Sequence, residues 1–316
     1  MTYASGSTIL AADYNGLVGT NPNTASGTLN TVWSTGGTTA GYGQTALATV
    51  AAGDSILAAS WANLVNRTAN AATHQGTTIT GVTAPSTGGV ITYLSAIPTN
   101  LTSIYTSRLN AASQGTTTSN AVTTASTWSS VATFTQTVTF ANGDAARYFF
   151  NSGGQLAITC SSPGGTGIDL LLNNLASNVG TVVLSAMNSG TANIGGTSYN
   201  GVTRIGGGGN SPTIGTNSGY YALTTSNANI YYQTASTGPS GYLSTNINIF
   251  AKSNGTQGGN GDAGSIITIY TVWDEIPNGL TVSTGSVTTL TVRPPETTNI
   301  ANTWGTISLA GSVSVS

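Results

Sequence analysis

The sequence contains very few charged residues. Six of its 316 residues are Lys or Arg and eight are Asp or Glu, so charged residues make up 4% of the chain, where globular proteins carry roughly 25%. Charge normally keeps folded monomers apart and protects exposed strand edges. A chain with so little charge is expected to bury its surface in an assembly or to solvate it with neutral polar groups. Its many Thr, Ser, Asn and Gly residues fit a secreted or particle-borne structural protein better than a cytosolic enzyme.

Histidine and cysteine are also nearly absent, and this narrows the possible chemistry. Cys160 is the single cysteine, which excludes an internal disulfide framework. With His74 as the single histidine, no His-rich zinc site can form, and a Ser-His-Asp triad would have to use this residue. We therefore predict no catalytic residues, no metal site and no cofactor.

Two further absences bear on partners and location. The formal net charge of −2 gives nothing that steers the chain toward nucleic acid. No apolar run approaches the roughly 20 residues of a membrane helix, so we expect no membrane insertion. No basic segment followed by an apolar stretch marks a signal peptide at the N-terminus. An extracellular destination without a signal peptide favours a particle made in the host cytoplasm and released by lysis.

An internal repeat dominates the first part of the chain. The segment 6–20 aligns with the segment 53–68, and their matching apolar positions are 47 residues apart. An aromatic residue followed by Leu three and Val four positions later marks one face of a helix, which predicts helices over about 12–18 and 59–72, the second one ended by Gly76. Their apolar positions are predicted to pack into one shared or two equivalent sites: Tyr14, Leu17, Val18, Trp61, Leu64 and Val65.

The repeat indicates a helical attachment region over 1–80, and a linker follows it over 81–118. Leu101, Ile104 and Tyr105 keep helical spacing, so the linker is predicted to contain one helix over about 99–112. A short apolar run at 90–94 is predicted to form a strand.

The hydrophobic period changes to two at about residue 119. The segment 131–140 alternates apolar residues with Thr, which is typical of a half-buried strand. The segment 167–176 breaks this pattern with a helical stripe of Ile and Leu. We predict a mainly β protein whose region 119–316 is a β-sandwich or jelly-roll-like domain with one short helix. The other predicted strands are 146–150, 155–160, 180–185, 222–224, 229–234, 243–252, 265–273, 281–292 and 307–315.

One segment of this region receives a more specific prediction. Residues 147–160 are expected to form a structural hairpin, with Ser152, Gly153 and Gly154 as its turn. Asn142-Gly143 and Asn278-Gly279 are two further turn dipeptides.

Each candidate for chemistry also has a structural interpretation. His74 follows a predicted helix, where a cap at the negative end of the helix dipole is favoured over a metal ligand or a base. Cys160 ends an apolar strand, and a buried small residue is favoured over a nucleophile.

The carboxylates leave one enzymatic alternative open. Asp274 and Glu275 are adjacent in a strand and so point to opposite faces. If Asp144, Asp169, Asp262 and Glu296 met in space, and if Arg147 joined Asp144 and Asp169 at an open cleft, a two-carboxylate glycosidase would become plausible.

A cluster of tyrosines offers a second type of site. Aromatic rings among Asn, Ser and Thr could form a glycan-binding face, although tyrosines in strands are equally expected in a β core or an assembly interface. The cluster contains Tyr220, Tyr221, Tyr231, Tyr232 and Tyr242.

Four stretches of the sequence are distinctive as a group. One is the second repeat copy with its tail, residues 56–76. Another is Ala-Ala-Arg-Tyr-Phe-Phe-Asn-Ser-Gly-Gly-Gln at 145–155, continuing to Cys160. The others are Trp-Asp-Glu-Ile-Pro-Asn-Gly-Leu at 273–280 and Thr-Val-Arg-Pro-Pro at 291–295. These stretches resemble uncharacterised virion structural proteins of tailed bacteriophages, notably phages of marine cyanobacteria.

The resemblance implies a non-enzymatic tail, fibre or appendage component in the virion, with other virion proteins as partners and possible contact with a host surface glycan. It also favours a homotrimer, because threefold symmetry is common in phage appendages. A capsid-surface decoration protein is an alternative, as is a carbohydrate-binding or carbohydrate-depolymerising tail protein. A bacterial surface-layer or adhesin subunit is disfavoured because it should carry an export signal.

Overall fold

The protein is mainly β, with two large antiparallel sheets and six helices among the residues described. The computed structural model describes residues 10–87, 95–187, 190–277 and 279–316. The helices are α1 (Ala11–Val18), α2 (Leu29–Trp33), α3 (Ala58–Gln75), α4 (Ala96–Thr106), α5 (Gly143–Asn151) and α6 (Ile168–Val179). The strands are β1 (Thr118–Thr123), β2 (Val131–Thr139), β3 (Gln155–Ser161), β4 (Thr181–Leu184), β5 (Ala192–Ile194), β6 (Thr197–Tyr199), β7 (Val202–Ile205), β8 (Thr213–Ile214), β9 (Ala228–Thr234), β10 (Asn246–Ser253), β11 (Ile266–Asp274), β12 (Val287–Arg293) and β13 (Ser308–Val315).

The two helices predicted from the internal repeat are confirmed as α1 and α3. Each begins directly after an extended leucine, Leu10 or Leu57. Gly76 ends α3 in the left-handed conformation, with φ of 66°, which an L residue with a side chain rarely adopts. The helix predicted over 99–112 forms, but it starts and ends earlier, as α4. Within the described ranges, no helix is both long and apolar enough to cross a membrane.

The larger sheet has the strand order β13-β2-β11-β10-β9-β8. Along β2, buried and half-buried residues alternate without interruption, as the sequence pattern predicted. Phe134 and Val138 therefore point into the core, and the threonines between them point away from it.

The second sheet has the order β1-β12-β3-β4-β7 and faces the first one. The side-chain amide of Gln136 on β2 crosses between the sheets and donates to the carbonyl oxygens of Asn120 and Thr288, at 2.8 and 3.4 Å. The arrangement is sandwich-like; a jelly-roll topology stays a prediction.

The predicted hairpin over 147–160 is wrong in its first half. Residues 143–151 form α5, and only the second half is a strand, β3. The side chain of Asn142 caps this helix by accepting from the Ala145 amide at 2.8 Å, so Asn-Gly here begins a helix instead of a hairpin turn. Phe149 and Phe150 are buried against Phe140.

One further predicted strand, at 222–224, is also wrong. Tyr220–Ala222 forms a 3-10 turn, and no described strand follows it before β9. The strand predicted at 90–94 and the first residue of the turn at Asn278-Gly279 lie outside the described residues.

The loop that contains residues 40–44, in the region 1–80, packs against the region 119–316. The side chain of Gln44 bonds to the backbone of Ala301 in both directions, at 2.8 and 3.0 Å. Arg147 and Asn151 of α5 donate to the carbonyl oxygens of Ala40 and Gly41. These bonds and a continuous apolar core connect the two regions; the domain boundaries at 80 and 118 stay a prediction.

Candidate functional site

The six residues predicted for packing or assembly all lie in the interior. Tyr14 and Trp61, at equivalent positions of the two repeat copies, meet edge to face with ring centroids 5.6 Å apart. The two copies thus share one apolar site. Every member of the set is buried: Tyr14, Leu17, Val18, Trp61, Leu64 and Val65.

A cleft of about 270 Å³ lies beside this site, between α3, the segment 77–82 and α4. Val65, Ile79 and Ile97 give it apolar walls. At one end the Asn100 side chain bonds both backbone groups of Thr80 at 2.9 Å. None of its lining residues carries a titratable side chain, so the cleft offers packing space but no acid–base group.

The predicted tyrosine face does not exist as one surface. Tyr220 and Tyr231 are fully buried, and the Tyr220 ring stacks on Phe150 with centroids 4.2 Å apart. The hydroxyl of Tyr221 is engaged by Thr38 and Asn151. Tyr232 and Tyr242 are half-buried. Only part of the cluster can therefore meet a ligand, because a buried ring has no free face for a sugar.

A different surface presents aromatic rings. We call it the outer face: the side of the sheet β13-β2-β11-β10-β9-β8 whose side chains point away from the other sheet. Phe250 lies directly opposite Tyr270 in the neighbouring strand, and Tyr232 lies opposite Asn248. All four side chains are half-buried, so they combine exposed ring edges with amide groups. Of these residues, the sequence cluster contained only Tyr232.

The outer face is almost uncharged. Its hydroxyl-bearing part contains Thr133, Thr135, Thr137 and Thr139 of β2. Among its described strand residues, only Lys252 and Asp274 are charged, and the Lys252 ammonium lies 5.3 Å from the centre of the Tyr270 ring. Such a surface can bind neutral polar partners by stacking and hydrogen bonding, without relying on ion pairs.

The carboxylates are each held by local donors. Asp144 pairs with Arg147 at 3.0 Å, whereas Asp169 accepts from the backbone and hydroxyl of Ser283 at 2.9 and 2.7 Å. Asp262 accepts from the Gly259 amide at 2.6 Å. Within the described part of the chain, no group of three His, Cys, Asp or Glu side chains could hold a metal ion.

Glu275 is fully buried and is also held by backbone groups. Its two carboxylate oxygens accept from the amides of Gly279 and Leu280, at 3.0 and 3.3 Å. Asp274, the last residue of β11, is half-buried on the outer face. The two neighbouring acids therefore point to opposite sides, as their alternation in a strand predicted.

His74 joins three parts of the chain in a buried position. Its Nε2 lies 3.1 Å from the carbonyl oxygen of Ser152, and its Nδ1 lies 3.6 Å from Glu296. The imidazole ring contacts the carbonyl oxygen of Ser152 and not its hydroxyl. The contact therefore packs the interior and does not activate the Ser152 hydroxyl as a nucleophile.

The contribution of His74 to stability is expected to fall in acid. Burial lowers its pKa below the ordinary value of 6.5, although the bond to Ser152 and the charge of Glu296 act in the opposite direction. The unfolded chain therefore binds more protons below about pH 6.5, and the free energy of unfolding decreases as pH falls through that value. Urea unfolding between about pH 7 and 5 should show this slope, and His74→Gln should flatten it.

Glu296 titrates below that window. Burial alone would raise its pKa, but hydrogen bonds from Thr298 and Asn299 and the nearby His74 together lower it below 4.5. Its stabilising effect is thus retained above about pH 4.5 and lost only below it. If the free energy of unfolding changed equally with pH in the native chain and in His74→Gln, the pH dependence could not be assigned to His74.

Cys160 is expected to be unreactive in the folded protein. Burial raises the pKa of its thiol to about 12, although the neighbouring Thr288 and Trp273 side chains act in the opposite direction. Because the thiolate is the reactive form, iodoacetamide at about pH 8 should label the native protein slowly and the urea-unfolded protein quickly. Mass spectrometry measures the rate of labelling. Equally fast labelling of the native and the unfolded protein would contradict this prediction.

Searches against family models, curated proteins and solved structures found no match to this chain.

Proposed function

We propose that this chain is a non-enzymatic structural subunit of a bacteriophage virion, in a tail fibre or another appendage, where it mediates assembly or host contact. The proposal rests on the nearly uncharged outer face, together with the resemblance of the sequence to virion proteins. Interior charged groups such as Arg147 and Glu275 are committed to local bonds. What remains for partners on this face is a surface of hydroxyls, amides and half-buried rings.

Self-assembly is part of the proposal. A surface with little charge provides little repulsion between copies, and virion appendages are built from repeated subunits. The threefold order expected from the resemblance is the specific form of this proposal, with other virion proteins as further partners.

Labelling of purified particles tests the virion role. Antibodies raised against the recombinant chain should place gold on the tail or an appendage of the phage that encodes it, in electron micrographs of intact particles. Gold on the head would favour the capsid-decoration alternative. Particles without label, and without the chain in their denatured protein profile, would contradict both.

A glycan-contact role is the second candidate, because Tyr232, Phe250 and Tyr270 lie on neighbouring strands of the outer face. Aromatic rings beside amides provide apolar contact area and hydrogen bonds, the combination that sugars require. Affinity electrophoresis in gels containing neutral polysaccharides (mannan, xylan or soluble β-glucan) should show retardation that Tyr270→Ala removes. Val272→Ala, on the same face of the same strand, is the matched control.

A further inference from the structure

The four edges of the two large sheets are protected unequally. On one side, β7 is four residues long and contains Arg204, and β8 is only two residues long. Shortness and charge are two devices by which proteins prevent edge strands from pairing with other chains. The opposite side lacks both devices. There, β13 is eight residues long, contains no charged residue and no proline, and keeps a continuous register with β2.

The second unprotected edge, β1, lies beside β13 on the same side of the molecule. Val122 and Asn120 of β1 come so close to Gly311 of β13 that a Cβ atom at this glycine would overlap them. The absence of a side chain at Gly311 therefore brings the two edges together. One side of the sandwich-like fold thus presents two uncharged edges, while the other presents two edges that are too short to pair extensively.

Half of the backbone groups of β13 point away from its neighbour. The Ser316 amide donates to the Val131 carbonyl at 2.9 Å, which places residue 316 in a hydrogen-bonded pair with β2. In an antiparallel ladder such pairs alternate, so the odd-numbered residues direct their N–H and C=O groups to the open side. Within the described residues, no backbone partner meets these outward groups. They belong to Leu309, Gly311, Val313 and Val315.

We propose that β13 pairs antiparallel with β13 of a second copy of this chain, about a twofold axis at Ser312. This pairing rests on the proposed self-assembly, and it replaces the threefold order with a twofold one. With the axis at Ser312, Leu309 stands opposite Val315 of the other copy, and Gly311 stands opposite Val313. Every outward backbone group of the strand then gains a partner.

The alternation of side chains selects this register. Leu309 and Val313 face the core, since they pair with the buried Val138 and Phe134 of β2. A register shifted by one residue would place core-facing residues opposite solvent-facing ones. The register centred on Ser312 keeps both cores on the same side and joins the two large sheets into one.

The unequal protection of the edges also explains why the pairing would stop at a dimer instead of continuing into a filament. A head-to-tail contact would require β13 to pair with the opposite side, where β8 has two residues and β7 has four. A contact between identical edges is self-complementary and stops at two copies, whereas an open head-to-tail contact would continue into a filament. The twofold pairing thus competes directly with the threefold order implied by the resemblance to phage appendages.

Charge placed at Ser312 tests the register. Ser312 is exposed on the outer face, and in the proposed pair it faces its own copy across a non-hydrogen-bonded position, where Cα atoms are about 4.5 Å apart. S312K and S312D should therefore each shift the protein from dimer to monomer in light scattering at micromolar concentration. An equal mixture of S312K and S312D should restore the dimer. T137K, one strand inward on the same face, adds the same charge away from the edge and should remain dimeric.

The outcomes separate this inference from the proposed function. A monomeric native chain, or a dimer that S312K and S312D leave intact, would overturn the β13 pairing. A native trimer would also overturn it, while supporting the threefold assembly.

Circular dichroism verifies that each variant is folded, and S312C gives a test that does not require dissociation. Oxidised S312C should yield a covalent dimer, whereas S314C, which faces Ala310 of the other copy, should not; the reverse result would contradict the register. Failure of the gold labelling would remove the virion role and leave the dimer unaffected.

Discussion

Replacing Trp61 by Ala is expected to lower the free energy of unfolding by about 3–5 kcal/mol. The Trp61 side chain is 1% exposed, and it meets Tyr14 of the other repeat copy edge to face. Truncation would leave a cavity where α1 and α3 meet, since the surrounding side chains can close it only in part. Urea unfolding of the native chain and of Trp61→Ala, followed by circular dichroism, measures the difference.

Leu57→Ala is the control for this experiment. Leu57 stands four residues earlier in the same repeat copy and is 63% exposed, so its truncation should change the free energy of unfolding by no more than about 0.5 kcal/mol. Combining Tyr14→Ala with Trp61→Ala should show a coupling of about 0.5–1.5 kcal/mol from the ring contact. A Trp61→Ala variant as stable as the native chain would contradict the shared site.

The structure of the repeat was accessible from the sequence because its signal is local. An aromatic residue, a leucine and a valine at helical spacing mark the buried face of one helix, and the second copy repeats the same marks. What the spacing could not show was whether the copies pack together or separately. That depends on the path of residues 19–57, which carry no periodic pattern of their own.

The prediction for the segment 143–151 is wrong because two local signals in the sequence conflict. Asn142-Gly143 is a strong turn dipeptide, and the apolar residues after it predict the first strand of the hairpin over 147–160. Phe149 and Phe150, however, belong with Ala145 and Ala146 to one buried helical face, and Asp144 lies in the first turn, where a negative charge is favoured. The capping bond of Asn142, visible only in three dimensions, decides between the alternatives.

The prediction of a single tyrosine face is wrong for a different reason. Proximity in sequence grouped five tyrosines, but Tyr220 lies in a 3-10 turn, and Tyr231 and Tyr232 point to opposite faces of β9. Phe250 and Tyr270 are adjacent only through strand pairing between β10 and β11. Their alternation with buried residues predicted that one side would be outward, yet only the sheet order shows that their outward sides coincide.

The edge strands show what composition can and cannot predict. Low charge predicted unprotected edges in general, and β13 is one of them. The position of each edge, however, depends on the order of strands that are far apart in sequence, because β13 pairs with β2 across more than half of the chain. The proposed twofold order therefore rests on topology, which composition does not contain.

Replacing Arg147 by Ala is expected to destabilise the protein as strongly as the loss of Trp61, by about 3–5 kcal/mol. Arg147 is fully buried. Its guanidinium bonds to Asp144 through Nε and Nη2, at 3.2 and 3.0 Å, and donates from Nη1 to the Ala40 carbonyl at 2.9 Å. Truncation leaves the Ala40 carbonyl without its donor and leaves the half-buried Asp144 carboxylate without its counter-ion, with only the Gly261 amide as a donor among the described residues. This desolvation penalty is the main cost. Urea unfolding at neutral pH measures it.

Removing both charges together distinguishes this penalty from a simple loss of packing. Arg147→Met keeps most of the side-chain volume but leaves Asp144 unpaired, whereas Arg147→Met combined with Asp144→Asn removes the unpaired charge as well. The double variant should therefore be more stable than Arg147→Met alone, because the buried charge and not the missing contact causes most of the loss in stability.

Lys252→Ala is the control, because it removes a half-exposed cation from the outer face. It should lower the free energy of unfolding by no more than about 1 kcal/mol. If Arg147→Ala cost no more than Lys252→Ala, the guanidinium would not connect α5 to the loop of the first region. The link between the two parts of the chain would then depend on the shared apolar core and on other contacts, such as those of Gln44, Asn151 and His74.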